Sequence, residues 1–308
     1  MRIVFMGTPH AAVPALRQCV ADGHEVLAVW TQPDKPSGRG HKTGFPPIKE
    51  FAVSHGLDVV QPARIKNEEA KQLFASYNAD VAVVVAYGRI LPEEFLRAPR
   101  RGCINVHFSL LPKYRGAAPA NWAIIAGETE TGVTTMFIEP ALDTGPILLQ
   151  RKTEIGERET APELMVRLAE IGADLLKETL ARLDDLSPRA QVDSEASFAP
   201  ILKKTDGLID WTQDAFSIER CVRGLQPWPT AYTSFNSKGL TIWSAQAIGS
   251  ASVGAPGEVI EAQRGDLVVC CGNETLLRLL EVQPEARKRI PARDFINGMR
   301  LKIGDRLG

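Results

Sequence analysis

Short apolar runs rich in valine and isoleucine alternate with amphipathic stretches along the first 150 residues of the chain. This alternation is typical of parallel strands joined by helices that cover both faces of a sheet, because strands buried on both faces are apolar throughout. We therefore predict an α/β fold with a Rossmann-like, mostly parallel, doubly wound sheet. Its strands are expected at residues 3–6, 26–30, 59–60, 81–85, 104–106 and 133–138.

The pattern changes in the second half of the chain. Apolar residues recur at helical spacing from Glu163 to Leu183, and a small, polar stretch follows. After a further predicted helix from Ala215 to Arg223, short alternating segments separated by glycine-containing turns predict a small β-barrel of the OB type. Its five strands are expected at residues 231–235, 240–247, 257–262, 267–271 and 276–282.

These patterns divide the chain into a first domain at residues 1–186, a linker at 187–206 and a second domain at 207–308. A length of 308 residues, with 44% hydrophobic and 24% charged residues, is ordinary for a globular protein of two domains. The formal net charge of −1 excludes binding of nucleic acid through bulk positive charge, but it leaves room for a local basic surface. Residues 287–308 form such a surface, with seven Lys and Arg against two Asp and Glu.

The five cysteines favour a reducing compartment. Their number is odd and no C-x-x-C pair occurs, so that neither a disulfide framework nor a zinc site is indicated. The apolar run at the amino terminus is too short for a signal peptide, and the run at residues 81–86 is too short to span a membrane. We therefore expect a cytoplasmic protein that is not anchored to a membrane and needs no metal.

Asn105-Val106-His107 carries the clearest candidate chemistry. Side chains two apart on a strand point to the same face, so Asn105 and His107 can converge on one small group at the end of a predicted strand. An amide can donate to an oxygen that becomes negative, and an imidazole can move a proton. A lone histidine is more often structural than catalytic, but Asp143, in the loop after the next apolar run, could orient or charge His107.

Two loops near the amino terminus bear on function. The first strand is followed by Gly7 alone rather than by G-x-G-x-x-G, which argues against a dinucleotide-binding oxidoreductase. Residues 33–47 contain four prolines, three glycines and three basic residues, a composition for which we expect no strand or helix. We interpret this segment as a mobile loop that meets an anionic substrate, with Arg39 as its best candidate contact, although a merely solvated insertion is the alternative.

The three parts of this candidate site together resemble one known family. Asn105-x-His107, the run Ser-Leu-Leu-Pro-Lys-Tyr-Arg-Gly-Ala-Ala-Pro at residues 109–119, and Asp143 in Leu-Asp-Thr-Gly are similar to formyltransferases that use 10-formyltetrahydrofolate. The stretches at residues 7–9, 31–36, 84–92 and 207–211 resemble the branch of that family that acts on methionyl-tRNA.

This resemblance implies transfer of a formyl group from 10-formyltetrahydrofolate to the α-amino group of methionine on initiator methionyl-tRNA. Asn105 and His107 would stabilise the oxyanion, and Asp143 would tune His107 and relay a proton. The resemblance assigns folate binding to Ser109, Leu110, Leu111 and Pro112, although ordinary core packing is the alternative for both leucines. Phe108 departs from the family, in which glycine is common at this position, and this departure affects the expected shape of the pocket.

The tRNA contacts are expected at basic residues in both domains. Near the predicted site these are Arg39, Lys42, Lys113 and Arg115, and at the basic surface of the second domain they are Arg287, Lys288 and Arg289. Such residues would contact phosphates without reading sequence, whereas a solvated surface is the alternative. Formyltransferases of small amines, such as sugar nucleotides or glycinamide ribonucleotide, and formyltetrahydrofolate hydrolases remain alternative functions. No unpartnered apolar stripe is evident, so we expect a monomer.

Overall fold

The structure is a computed structural model that describes residues 1–37, 42–250, 254–263 and 265–308. The chain forms two compact units. The first contains Met1–Pro119, Glu130–Glu154 and Met165–Pro200, and the second contains Ala120–Thr129, Ile155–Leu164 and Ile201–Gly308.

The first unit is built on a seven-stranded sheet in the order β10-β9-β7-β6-β1-β2-β5. These strands are β1 (Arg2–Gly7), β2 (Glu25–Trp30), β5 (Val59–Val60), β6 (Val81–Val85), β7 (Cys103–His107), β9 (Glu130–Phe137) and β10 (Ile147–Glu154). From β7 to β5 all neighbours are parallel, whereas β9 is antiparallel to both β7 and β10. The predicted mostly parallel sheet is therefore confirmed, and the antiparallel edge strand β10 was not predicted.

The described residues up to Ala181 include the α-helices α1 (Val13–Ala21), α2 (Pro47–Ser54), α3 (Glu68–Ser76), α4 (Glu93–Arg97), α5 (Pro119–Ala126) and α6 (Ala161–Ala181). On one face of the sheet, Trp30 at the end of β2 meets Phe74 of α3 and Phe95 of α4 edge-on, with ring centroids 5.3 and 5.5 Å apart. Aromatic pairs of this geometry contribute roughly 0.5–1.5 kcal/mol each beyond the area that they bury. This aromatic cluster anchors α3 and α4 beneath the central strands.

Helix α6 packs unusually close to β7 at Gly172. A Cβ atom at this position would lie 2.9 Å from Cγ1 of Val106 and 3.5 Å from Cε1 of Phe108. Because alternate side chains of a strand point to opposite faces, Val106 and Phe108 face α6 while Asn105 and His107 face the other way. The ring of Phe108 therefore fills space beside the helix, away from the face that carries Asn105 and His107.

The expectation of no strand in residues 33–47 is wrong. Strand β3 (Lys35–Ser37) pairs antiparallel with β4 (Lys42–Gly44), and α2 begins at Pro47. A two-stranded ribbon leaves the outward N–H groups of both strands unpaired, so it tolerates a proline that a central strand would exclude. Two more short strands, β8 (Arg115–Gly116) and β11 (Phe198–Ala199), pair in parallel elsewhere in the first unit.

The second unit contains an antiparallel sheet in the order β12-β13-β16-β15-β14, with β17 paired to β16. Its strands are β12 (Ala231–Phe235), β13 (Lys238–Ser250), β14 (Val259–Gln263), β15 (Asp266–Cys270), β16 (Thr275–Pro284) and β17 (Ile290–Pro291), and its helices include α7 (Ala215–Gly224) and α8 (Ala292–Met299).

All five predicted strands of the second domain are present in this sheet. The ladder between β13 and β16 shifts register near Ser244 and again near Ser250, and such irregularities bend and twist a sheet. This curvature is compatible with a barrel, and the OB-type barrel stays a prediction. The sheet packs on a core in which Trp211 donates from Nε1 to Oγ1 of Thr233 at 3.1 Å and Phe235 lies 5.9 Å from Phe295, measured between ring centroids.

None of the helices within the described ranges combines the length and the apolar character needed to cross a membrane. The structure shows the five cysteines as thiols rather than in disulfides. Burial raises the pKa of Cys19 and Cys103 to about 12, so both stay protonated and unreactive at neutral pH.

Candidate active site

Asn105 and His107 lie on one face of β7, at the carboxyl end of that strand. Asn105 pairs in register with Val84 of β6 and Met136 of β9, and His107 pairs with Thr134 of β9. The carboxyl ends of parallel strands are where open α/β sheets place their ligands. The side chain of Asn105 is half-buried and makes no hydrogen bond within the described part of the chain, so its donors and its acceptor are available to a ligand.

The imidazole of His107 is buried and held in a defined orientation. Its Nε2 lies 3.0 Å from the carbonyl oxygen of Tyr114. Since a carbonyl oxygen can only accept, Nε2 carries a proton in this arrangement. The other ring nitrogen, Nδ1, faces Oδ2 of Asp143 at 3.7 Å. The ring is therefore oriented by one main-chain contact and presents Nδ1 towards a carboxylate.

Asp143 reaches this place from the loop between β9 and β10. Its Oδ2 accepts a hydrogen bond of 2.8 Å from the backbone N–H of Gly116, and only 12% of its side chain is exposed. The backbone of Asp143 has φ +52°, a left-handed conformation that non-glycine residues adopt at an energetic cost. The structure thus brings together His107 and Asp143, which sequence analysis had grouped with Asn105.

Gly116 can take the position from which it donates to Asp143 because it has no side chain. Its φ is +129°, and a Cβ atom here would lie 2.4 Å from the carbonyl oxygen of Ala199. This close approach is made by the pairing of β8 with β11. A glycine is therefore required where the two strands and the carboxylate meet.

Gln191, which no sequence pattern indicated, makes contacts to the same loop. Its Nε2 donates to the carbonyl oxygens of Asp143 and Gly145, both at 2.8 Å, and its Oε1 accepts from Nε of Arg115 at 3.0 Å. Gln191 lies in the small polar stretch that was interpreted as a linker, and no local pattern distinguishes it from its neighbours. A contact spanning 48 residues is visible only after folding.

Arg115, which was predicted to contact tRNA, has a side chain that is only 5% exposed. Besides its contact to Gln191, its Nη2 pairs with Oδ1 of Asp193 at 2.9 Å. The guanidinium is thus enclosed and engaged by the protein itself. The neighbouring Lys113, by contrast, is exposed at the surface.

Residues 109–112 form a fixed turn. Ser109 is fully buried and its hydroxyl donates to the carbonyl oxygen of Lys113, while the hydroxyl of Thr134 donates to the carbonyl oxygen of Ser109. Leu111 packs against Met136 and Ile147. Leu110 lies over Gly132, where a Cβ atom would come within 2.5 Å of its Cδ2. The two leucine side chains therefore serve packing, and the run, which ends at the half-buried Pro112, contributes shape rather than free polar groups.

A second loop, which follows β6, is tied to neighbouring strands through the carbonyl oxygen of Tyr87. That oxygen accepts from Oγ1 of Thr8 at 3.0 Å and from Nε2 of Gln32 at 3.1 Å. Burial raises the pKa of the Tyr87 phenol to about 12, so it stays neutral. Next to this loop lies a surface cavity of about 450 Å³, lined by Ala63, Arg64, Ile65, Lys66, Arg89 and Ile90.

The remaining predicted tRNA contacts are not all placed by the structure. Arg39 lies outside the described residues, and Lys42 is described only as backbone of β4. In the second unit, Arg287, Lys288 and Arg289 are exposed, and Arg289 also pairs with Glu281 and places its Cζ 5.2 Å from the ring centroid of Trp243. Among the described residues, no group of three or more His, Cys, Asp or Glu side chains is placed to hold one metal ion.

Two family models match the chain. The model described as formyl transferase matches residues 1–180, and the model described as formyl transferase, C-terminal domain, matches residues 201–300.

The chain is also similar over its full length to curated proteins. It is 51% identical to the methionyl-tRNA formyltransferase of Solibacter usitatus, covering 100% of this chain and 99% of that protein. It is 49% identical to the methionyl-tRNA formyltransferase of Caldanaerobacter subterraneus subsp. tengcongensis, covering 99% of each.

Solved structures share the fold at low sequence identity. The N-formyltransferase of Helicobacter canadensis, crystallised with folinic acid and dTDP-3-aminofucose, superposes with a TM-score of 0.68 at 19% identity, covering 92% of this chain and 98% of that one. The sugar 3N-formyltransferase WlaRD superposes with a TM-score of 0.67 at 17% identity, covering 94% and 99%.

The burial of Arg115 generates a testable prediction. Arg115→Ala removes two hydrogen bonds of an enclosed cation, and we expect it to lower the free energy of unfolding by about 2–3 kcal/mol. The matched control is Arg97→Ala, whose side chain is 78% exposed and pairs with Glu93; we expect a change within about 0.5 kcal/mol. Urea unfolding measures both, and an equally mild effect of the two substitutions would contradict a structural role of Arg115.

Proposed function

Because this chain belongs to the formyltransferase family, we propose that it transfers the formyl group of 10-formyltetrahydrofolate to the α-amino group of methionine on initiator methionyl-tRNA. The full-length identity of about half of all positions to methionyl-tRNA formyltransferases carries this proposal. The reaction belongs to translation initiation and takes place in the cytoplasm.

The geometry at the end of β7 supports acyl transfer. Asn105 offers a half-buried amide that no described residue engages, and His107 and Asp143 face each other beside it. These side chains fit a small carbonyl group that needs a hydrogen-bond donor and a nearby proton carrier. When bound, 10-formyltetrahydrofolate supplies the formyl carbon and the N10 leaving group.

In the proposed mechanism, the α-amino nitrogen of methionine bonds to the formyl carbon, and the bond from that carbon to N10 breaks. Asn105 donates a hydrogen bond to the formyl oxygen as negative charge grows on it. The amine gives up one proton and N10 takes up one. His107 moves this proton through Nδ1, since Nε2 is engaged by Tyr114, and the carboxylate of Asp143 faces Nδ1 and favours its protonated form.

The surroundings of the site suggest how folate is held. In this proposal the turn at residues 109–112 forms one wall of the folate pocket, and the loop at residues 87–92 forms the second wall. Arg64, Lys66 and Arg89 place positive charge beside the second wall, where they suit the carboxylates of the glutamate that folate carries.

Contacts to tRNA are assigned to cations that the protein does not enclose. Arg287, Lys288 and Arg289 are exposed in the second unit, and Lys113 is exposed next to the active site. Arg39 and Lys42 complete this set on sequence grounds. We assign catalysis to residues 1–186 and tRNA binding to 207–308, and we expect a monomer. Residues 187–206 connect these two regions, and this segment is part of the first unit up to Pro200.

The function is tested by measuring transfer of labelled formyl groups from 10-formyltetrahydrofolate to four acceptors: initiator methionyl-tRNA, elongator methionyl-tRNA, glycinamide ribonucleotide and an amino-sugar nucleotide. We expect the highest kcat/KM for initiator methionyl-tRNA. A higher kcat/KM for a small amine would overturn the proposal in favour of a small-molecule formyltransferase. Release of formate without any acceptor would instead identify a hydrolase.

The role of Asn105 is tested by Asn105→Ala. Loss of one oxyanion donor typically costs on the order of 3 kcal/mol in the transition state, so we expect kcat to fall by about 100-fold or more in the same assay. The half-buried amide has no partner within the described chain, so the thermal midpoint should change little. Asn297→Ala, an exposed change on α8, is the control with unchanged kcat. Near-normal turnover of Asn105→Ala would remove this residue from the mechanism.

The basic surface is tested by the double variant Arg287→Gln/Lys288→Gln. We expect weaker binding of initiator tRNA and a smaller dependence of log K on log salt, with the slope reduced by about 1–2. Lys152→Gln, which neutralises an exposed lysine paired with Glu130, controls for net charge. Titrations at several salt concentrations provide the slopes, and an unchanged slope would assign Arg287 and Lys288 to solvation alone.

A further inference from the structure

We propose that Gln191 is a positioning residue that holds the loop bearing Asp143 and so sets the direction of that carboxylate towards His107. This inference rests on the proposed function for the catalytic role of Asp143. It adds a residue outside the segment that carries Asn105, His107 and Asp143.

Both donors of the Gln191 amide are used by the loop. Nε2 donates to the carbonyl oxygens of Asp143 and Gly145, which flank Thr144, at 2.8 Å each. Elsewhere in the loop, Oγ1 of Thr144 donates to the carbonyl oxygen of Ala141 at 3.2 Å, while Ala141 and Leu142 are exposed to solvent. Gln191 therefore bonds to the backbone of Asp143, the residue whose side chain faces His107.

The orientation of the amide is fixed by Arg115. Nε of Arg115 donates to Oε1 of Gln191 at 3.0 Å, and the guanidinium is itself buried and paired with Asp193. A flipped amide would set Nε2 against the guanidinium donor and Oε1 against two carbonyl oxygens. Only one orientation of the amide satisfies all partners.

The backbone that presents Gln191 is also fixed. Arg189 exchanges two hydrogen bonds of 2.8 Å with Ile147, at the start of β10. Gly116, the neighbour of Arg115, donates to the carboxylate of Asp143. Gln191 thus holds the main chain of Asp143, and Gly116 holds its side chain. Arg115 connects the two, because it donates to Gln191 and directly precedes Gly116.

Asp143 needs such support because of its own backbone. With φ +52° it occupies a region that residues with a Cβ atom disfavour. Without the hydrogen bonds from Gln191, the loop can relax, and the carboxylate moves relative to Nδ1 of His107. Small misplacements of a catalytic group lower turnover strongly, up to about 100-fold for 1 Å.

The first test is the substitution Gln191→Met, which keeps the length of the side chain and removes every hydrogen bond. We expect kcat for formyl transfer to fall by about 10- to 100-fold, with KM for tRNA and for 10-formyltetrahydrofolate within about twofold. Gln191→Glu retains the acceptor for Arg115 but has no donor for the loop, and we expect a similar fall. The matched control is Gln18→Met on α1, which removes the hydrogen bond from Gln18 to Asp22. We expect normal kcat for this variant.

A double-mutant cycle separates positioning from general stabilisation. If Gln191 acts through Asp143, then Gln191→Met in an Asp143→Asn background should change kcat by less than about twofold, because the group that it positions is already absent. A merely structural role would lower kcat by the same factor in both backgrounds. Multiplicative effects, or normal kcat in Gln191→Met or Gln191→Glu, would overturn the inference.

Hydrogen exchange provides a readout that does not depend on activity. Peptides covering residues 139–148 should exchange faster in Gln191→Met than in wild type, whereas Gln18→Met should match wild type; unchanged exchange in Gln191→Met overturns the inference. Failure of wild type to formylate methionyl-tRNA would reject the proposed function, while this exchange measurement would still decide whether Gln191 holds the loop.

Discussion

The candidate site depends on one contact: the backbone N–H of Gly116 donates to the carboxylate of Asp143 at 2.8 Å. This contact requires a residue without a side chain, because a Cβ atom here would lie only 2.4 Å from the carbonyl oxygen of Ala199. It also requires β11 to lie beside β8, which brings residues 189–199 back onto the first unit. From this arrangement follow the burial of Arg115, the placement of Gln191 and the direction in which Asp143 faces His107.

Much of this architecture could be predicted from the sequence. The central strands are apolar throughout, as in β6, and this pattern identified all six predicted strands of the first sheet. Strand β10 was missed because its second half, Gln150 to Glu154, is polar and half-exposed like a loop. Asn105 and His107 could be paired because strand geometry alone places residues two apart on one face.

Other parts of the site could not be predicted, because they depend on contacts between distant segments. A polar residue in a polar stretch carries no periodic pattern, so nothing marked Gln191 before its contacts were known. The same limit applies to Arg115. Its sequence neighbours suggested a cation for phosphates, whereas burial and the partners Gln191 and Asp193 make it part of the protein interior. Burial is a property of the fold, and basic residues cannot be sorted into structural and ligand-binding groups without it.

The return of residues 189–199 to the first unit has a consequence for where a working catalytic fragment would have to end. A fragment that ends after α6 keeps Asn105, His107 and Asp143 and all seven strands of the first sheet. It loses Gln191, Asp193 and β11, so the buried guanidinium of Arg115 has no partner from this segment and Gly116 loses its neighbouring strand. The three reactive side chains and the structure that aligns them are therefore encoded in separate stretches of the chain, and a shortened form can contain the first without the second.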